Sequence, residues 1–142
     1  MTTRPEFWWA APGLGEIVWC WWPDKGSKVL PGPKPRPCLV LELDESDPVQ
    51  PHVLVAYGTS RKLAQLHPGE FAITRAGHPH AFAAAGLSFD TKFNMGQTAW
   101  LPYSTRAFDV APGAPHGQTP KLGVLHPSVI AAAAAAHMAA WP

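Results

Sequence analysis

Charge and sulfur are both scarce in this chain. Only 15% of its 142 residues are charged, and the formal net charge is +1, where an average soluble domain carries about 25% charged residues. A pI near 7.9 excludes a generic polyanion binder acting through overall charge, so any nucleic-acid site has to come from local clustering. The two cysteines, Cys20 and Cys38, lack metal-site spacing; in a reducing compartment they are expected as buried thiols rather than as a disulfide. No window approaches the ~18 consecutive apolar residues of a membrane span. Met1 to Gly15 has no apolar stretch behind a basic start, so no signal peptide is expected and the cytoplasm is the expected compartment.

What is abundant is proline and glycine, 17 and 12 residues. This argues for short strands joined by irregular turns rather than for long helices. At 142 residues one domain with one core is expected over 1–142. Its first strand is "GEIVWCWW", Gly15 to Trp22, apolar on both faces and therefore central or at a subunit contact. A long loop leads to "CLVLEL" (Cys38 to Leu43), the turn "DESDPVQP" to "HVLVAYGTS" (His52 to Ser60), and "RKLAQLHP" to "GEFAIT" (Gly69 to Thr74). Residues 75–88 have room for a turn of helix, and "FDTKFNMGQTAWL" (Phe89 to Leu101) reads as strand with a turn or bulge near Asn94 to Gly96. The expected organisation is an N-terminal extension (1–14), a barrel (15–101), a Pro/Gly-rich segment (102–126) of the length that is usually functional or partner-bound, and a helix (127–141). Pro127 and the alanine run suit that helix, which is short enough to need docking on the barrel. The fold class is mainly β (α+β): a small barrel or strongly bent sheet of antiparallel strands with a C-terminal helix.

The stretch "PGPKPRPC", Pro31 to Cys38, has proline at every second position. Gly32, Lys34 and Arg36 each precede a proline and are pushed into extended conformations, while the prolines fix their own φ. The result is a semi-rigid arm that holds Arg36 at the mouth of the following strand, as pre-organised charge recognition requires. A hairpin tip at Asp47-Pro48 sets the index sum of paired residues to 95. Arg36 then faces Thr59, Leu39 faces Ala56 and Leu41 faces Leu54, with a shift of one residue allowed for if Pro48 and Pro51 add a bulge. Glu42, Asp44, Glu45 and Asp47 lie at the tip, whereas Lys25, Lys28, Lys34, Arg36, Arg61 and Lys62 gather at the open end. Such segregation is either a solubilising surface or a phosphate-binding cleft; an arginine fork and a threonine hydroxyl are the groups that grip phosphate oxygens.

The run "GEIVWCWWP", then "KGS", "RPCLVLEL" and "VLVAYGTS", resembles the PemK/MazF family of bacterial toxins over roughly residues 15–62. The resemblance implies an SH3-like barrel, a homodimer, metal-independent cleavage of single-stranded RNA, no cofactor, and a cognate antitoxin over the active groove. By position it makes Arg36 and Thr59 the catalytic pair and Ser27 the loop serine. Lys28 stands where the family often has an acidic residue, which makes this loop more basic. Ser27, Lys28, Lys34, Ser60, Arg61 and Lys62 are the expected RNA-binding residues.

The simplest metal-free route is attack of a ribose 2′-OH on its own phosphate, leaving a 2′,3′-cyclic phosphate and a 5′-OH. Arg36 would stabilise the developing charge and Thr59 would fix a phosphate oxygen. The base stays unassigned, since an arginine with a pKa above about 12 suits that role poorly. His78 and His80 form a His-x-His pair without a Cys or carboxylate nearby to complete a metal site, and His52, His67, His116, His126 and His137 read as surface or packing residues. Of the seven tryptophans, Trp19, Trp21 and Trp22 read as core or dimer interface. Trp8, Trp9 and Trp22 are also candidates for stacking on RNA bases, and an exposed Trp8-Trp9 pair for an antitoxin contact. Two other readings remain open: a non-nuclease toxin of the same fold that poisons DNA gyrase, and a passive SH3-like binding module.

Overall fold

A computed structural model describes residues 5–23 and 29–142 of the chain. Its centre is a curled six-stranded sheet of order β4-β5-β3-β2-β1-β6, antiparallel at every pairing. The strands are β1 (Glu16–Trp22), β2 (Lys34–Asp44), β3 (His52–Thr59), β4 (Glu70–Ile73), β5 (Thr91–Pro102) and β6 (Lys121–Val124). The one-turn helix α1 (Pro79–Ala84) precedes β5; the 3-10 turn Pro127–Val129 and helix α2 (Ile130–Ala140) close the chain. The mainly β fold with a terminal helix expected from the sequence is the fold observed. Among the described residues no helix is long and apolar enough to cross a membrane.

Both faces of the sheet are covered, which explains why β1 is apolar on both sides. Ile17, Leu39, Ala56, Phe93 and Met95 face α1 and α2 in one cluster. Val18, Cys20, Cys38, Val40 and Val55 face Trp9, Tyr103 and Phe108 in the other. The alanines of α2 allow close packing: Ala133 and Ala136 are buried, and the Trp141 indole N–H donates to the Met95 carbonyl over 2.8 Å.

The alternating prolines belong to a strand, not to an arm before one. β2 begins at Lys34, and Pro35 and Pro37 lie opposite Trp21 and Trp19 of β1. Alternate residues of an antiparallel strand address the same neighbour, so prolines at every second position delete donors on one side only. The Pro37 carbonyl shows which side, because it aims at Gly58 of β3. There β2 and β3 have separated, their ladder running only from Cys38–Tyr57 to Asp44–His52. The prolines therefore cost no ladder hydrogen bonds with β1 and keep β3 from zipping onto the mouth of the hairpin.

The index sum of 95 holds from Cys38–Tyr57 through Val40–Val55. Beyond Val40 the register shifts by one, so Leu54 pairs with Glu42 instead of Leu41. A bulge that leaves Leu41 without a cross-strand partner absorbs the mismatch. In β5 the interruption near Asn94 is likewise a bulge within one continuous strand: Ala56 pairs with Thr98 and the next residue, Tyr57, with Asn94.

The Pro/Gly-rich segment packs along the sheet. Trp21 N–H donates to Ala107 O and Trp19 N–H to Pro120 O, each over 2.8 Å, and Cys20 bridges to Phe108. The segment thus satisfies the outer edge of β1, and its end supplies β6, a strand without a sequence signal of its own. The N-terminal extension is held over it as well, the Trp9 indole N–H donating to Gln118 O over 2.8 Å.

Two outcomes follow. A Cβ at position 58 would stand 2.1 Å from the Pro37 carbonyl, so Gly58→Ala is expected to lower stability by about 2–3 kcal/mol, measured by denaturant titration. Cys20 and Cys38 are free thiols with no exposed surface, and burial, reinforced by the neighbouring Cys38, pushes the Cys20 thiol well above its usual range. A thiol-reactive chromogen at pH 8 should label neither in the native protein and both in denaturant.

Candidate nucleic-acid interface

The open end of the β2–β3 hairpin forms one wall of a cleft of about 430 Å³. Lys34, Arg36, Thr59, Ser60 and Arg61 all line it, so five of the eight residues singled out in the sequence converge there. Lys62 does not line it; in a left-handed conformation at φ 54°, it turns the chain away after Arg61. Ser27 and Lys28 lie outside the described residues.

Arg36 is half-buried on β2. Its guanidinium sits over the Tyr57 ring, 4.7 Å from the centroid, and Nη1 points to the Gly58 carbonyl at 3.5 Å. Tyr57 is braced edge-on by Trp22 at 5.3 Å. A cation laid on an aromatic face is oriented without being neutralised. Neither of the two ion pairs among the described residues uses Lys34, Arg36 or Arg61, and the described cleft lining contains no carboxylate. Among the described residues no carboxylate engages the guanidinium fork.

Thr59 ends β3 opposite Lys92 of β5. Its hydroxyl oxygen accepts the Arg61 N–H over 3.2 Å, which leaves the hydroxyl proton to be donated into the cleft. The same hydrogen bond sets the turn that carries Ser60 and Arg61 to the rim. Beneath that turn lies Lys92, which a strand alternation would place in solvent but which is 5% exposed. Its ammonium is held by the Gln65 carbonyl at 3.0 Å and by Glu70 at 3.1 Å. A buried charge tolerates desolvation only when so paired; this pair ties the 60–69 loop to β4 and β5.

Other expectations are corrected. Trp9 and Trp22 are buried in the core and Trp8 is half-buried against His52, with ring centroids 5.6 Å apart. None of them lines the cleft, and Trp8 and Trp9 are not an exposed pair. The aromatic residues that do line it are Trp19 and Phe89. Phe89, the first residue of a segment read as strand, lies just before β5 and was legible only as an apolar residue. His78 accepts the Thr74 N–H through Nδ1 over 3.1 Å at the start of α1, and among the described residues no three His, Cys, Asp or Glu side chains come together as a metal-ligand set.

At the acidic tip, the Ser46 backbone N–H and hydroxyl bond to Asp44 and hold its carboxyl below the usual carboxylate range. The tip and the cleft are opposite ends of one hairpin, so the charge segregation read from the sequence is also a spatial one for Lys34, Arg36 and Arg61, while Lys25 and Lys28 lie outside the described residues.

Comparison with known proteins bears on this arrangement. No curated protein sequence matches the chain. Among solved structures, an endoribonuclease in complex with its cognate antitoxin, from mycobacterial species, is similar with a TM-score of 0.58 at 18% identity, over 93% of this chain and 100% of that one. At that identity the likeness speaks for the fold. The profile of PemK-like, MazF-like toxins of type II toxin-antitoxin systems matches residues 14–106, a span that contains β1 through β5 and the whole Arg36–Thr59 wall. On that match the chain belongs to the PemK-like, MazF-like toxins of type II toxin-antitoxin systems.

Proposed function

We propose that the protein is the toxin component of such a system and acts as a metal-independent endoribonuclease on single-stranded RNA, inhibiting growth from the cytoplasm. The observation that carries this reading is the convergence of an arginine in no ion pair among the described residues, a threonine hydroxyl with its proton to give, and two further cations in one cleft without a described carboxylate.

A strand of RNA laid across that cleft presents a phosphate to Arg36 and Thr59. The neighbouring 2′-OH attacks the phosphorus, the bond to the 5′-oxygen breaks, and the products are a 2′,3′-cyclic phosphate and a 5′-OH. Negative charge grows on the non-bridging oxygens as the phosphorane forms. Arg36 answers it with a planar pair of N–H donors fixed in place by Tyr57, and Thr59 donates one more hydrogen bond; donors set before the reaction need no reorganisation during it. The described lining contains no histidine, so charge stabilisation rather than a positioned imidazole is the contribution of these side chains. Lys34 and Arg61 at the rim attract the flanking phosphates.

The protein is further proposed to act as a homodimer and to be silenced by a cognate antitoxin. Exposed Trp100, Ile130, Met138 and Trp141 around α2 form the apolar surface that supports pairing.

Labelled RNA incubated with the purified protein in EDTA should be cut, leaving cyclic-phosphate ends. Arg36→Ala should lower the rate about 10²–10³-fold and Thr59→Val about five- to ten-fold, with circular dichroism showing that both variants remain folded. Cleavage that survives Arg36→Ala would refute the assignment, and no cleavage alongside inhibition of a topoisomerase would move the protein to the gyrase-poisoning reading.

A further inference from the structure

We propose that the cleft holds, beside the reacting phosphate, a subsite for one unstacked nucleobase, gripped between Trp19 and Phe89. This rests on the ribonuclease reading above and adds to it the residues that select and seat the substrate.

Phe89 is the residue whose placement calls for an explanation. It is 73% exposed, yet it lines a cleft whose other apolar walls, Leu87 and Leu122, are buried. Its backbone is not loose. The Thr91 hydroxyl donates to the Phe89 carbonyl over 2.8 Å, and the Arg75 N–H donates to the adjacent Asp90 carboxylate over 2.7 Å. On the other side Gly86, at φ +67°, passes so close to β6 that a Cβ there would stand 2.0 Å from the Leu122 carbonyl. The segment is thus fastened at both ends and presents one large aromatic ring to solvent, an arrangement that stability alone does not ask for.

Trp19 lines the same cleft. It is half-buried, and it pairs through β1 with Pro37, next to Arg36. The volume of about 430 Å³ accommodates a base with its sugar but is small for a folded element. Besides the two rings, Leu87, Pro112 and Leu122 give the cleft apolar walls, whereas Ser60 and Ser88 offer hydroxyls and Lys34, Arg36 and Arg61 offer charge. Flat apolar walls, a few hydroxyls and cations together match a nucleotide: the base face stacks, its polar edge finds hydroxyls, and its phosphates find cations. An apolar side chain from a protein partner would fill the walls but leave three cations unanswered, because no carboxylate is present among the described lining residues.

The probe is a short RNA with 2′-O-methyl groups throughout, which cannot be cut, carrying 2-aminopurine at one position at a time. With wild-type protein, one position should show quenched fluorescence from stacking. In Phe89→Ala that quenching should disappear, and affinity measured by anisotropy should fall about five- to a hundred-fold. The salt dependence of binding should keep its slope, since no phosphate contact is lost. Phe89→Trp should restore both signals. Because the Phe89 side chain is mostly in solvent, the unfolding midpoint of each variant should match the wild type. Unchanged RNA affinity in Phe89→Ala would overturn the subsite, and so would weakened binding with an altered salt slope and no rescue by Trp. Cutting of unmodified RNA by wild type and its loss in Arg36→Ala, measured in parallel, show whether the catalytic reading stands when the subsite falls.

Discussion

The close approach of the Pro37 carbonyl to Gly58 organises the functional end of the molecule. At this point two neighbouring strands must stop pairing yet stay in contact. β2 stops because Pro35 and Pro37 have no N–H to offer β3, and β3 tolerates the contact because Gly58 has no side chain to obstruct it. Arg36 and Thr59 flank this contact in sequence and line the gap that opens beyond it. The site is therefore a by-product of where a ladder is made to fail. Its side chains come from strands anchored elsewhere by a full antiparallel pairing, and Arg36 and Thr59 inherit that rigidity.

Electrostatics completes the arrangement. A chain with few charges can still build a local field when cations and anions occupy opposite ends of one hairpin, as they do here. Acidic groups at the tip are satisfied locally, Asp44 by Ser46. At the other end Arg36 is oriented by an aromatic ring and Lys92 is consumed by the internal pair with Glu70. The buried cation builds the turn, while Lys34, Arg36 and Arg61 enter no ion pair among the described residues. Two chemically similar residues thus take different roles according to whether a carboxylate can reach them.

Much of this was legible in the sequence because hairpin pairing near a fixed tip is arithmetic. The sum of 95 put Arg36 opposite Thr59, and the pairs from Cys38–Tyr57 to Val40–Val55 keep that sum. It failed toward the tip, where the bulge at Leu41 absorbs one residue; bulges leave only a faint trace in composition. β6 was missed for a related reason. Four residues after a proline-rich stretch have no periodicity to read, and they become a strand only because the edge of β1 needs partners. Lys92 and Phe89 depart from strand alternation in opposite senses, the charge being buried and the aromatic exposed. Local pattern assigns sides by alternation, and neither residue follows it, since tertiary placement around the cleft decides each case. Trp22 was read first as core and is core, whereas the Trp9 ring, read as exposed, is drawn into the core on the second face of the sheet.

The most direct measurement is the structure of the protein bound to a short RNA in which the 2′-hydroxyl at the cut position is replaced by hydrogen. The account predicts the phosphate at that position held by the Arg36 guanidinium and the Thr59 hydroxyl together, within the cleft between the mouth of β2 and the end of β3. A phosphate bound on any other surface, with Arg36 still resting on Tyr57 and reaching no oxygen of the RNA, would contradict it.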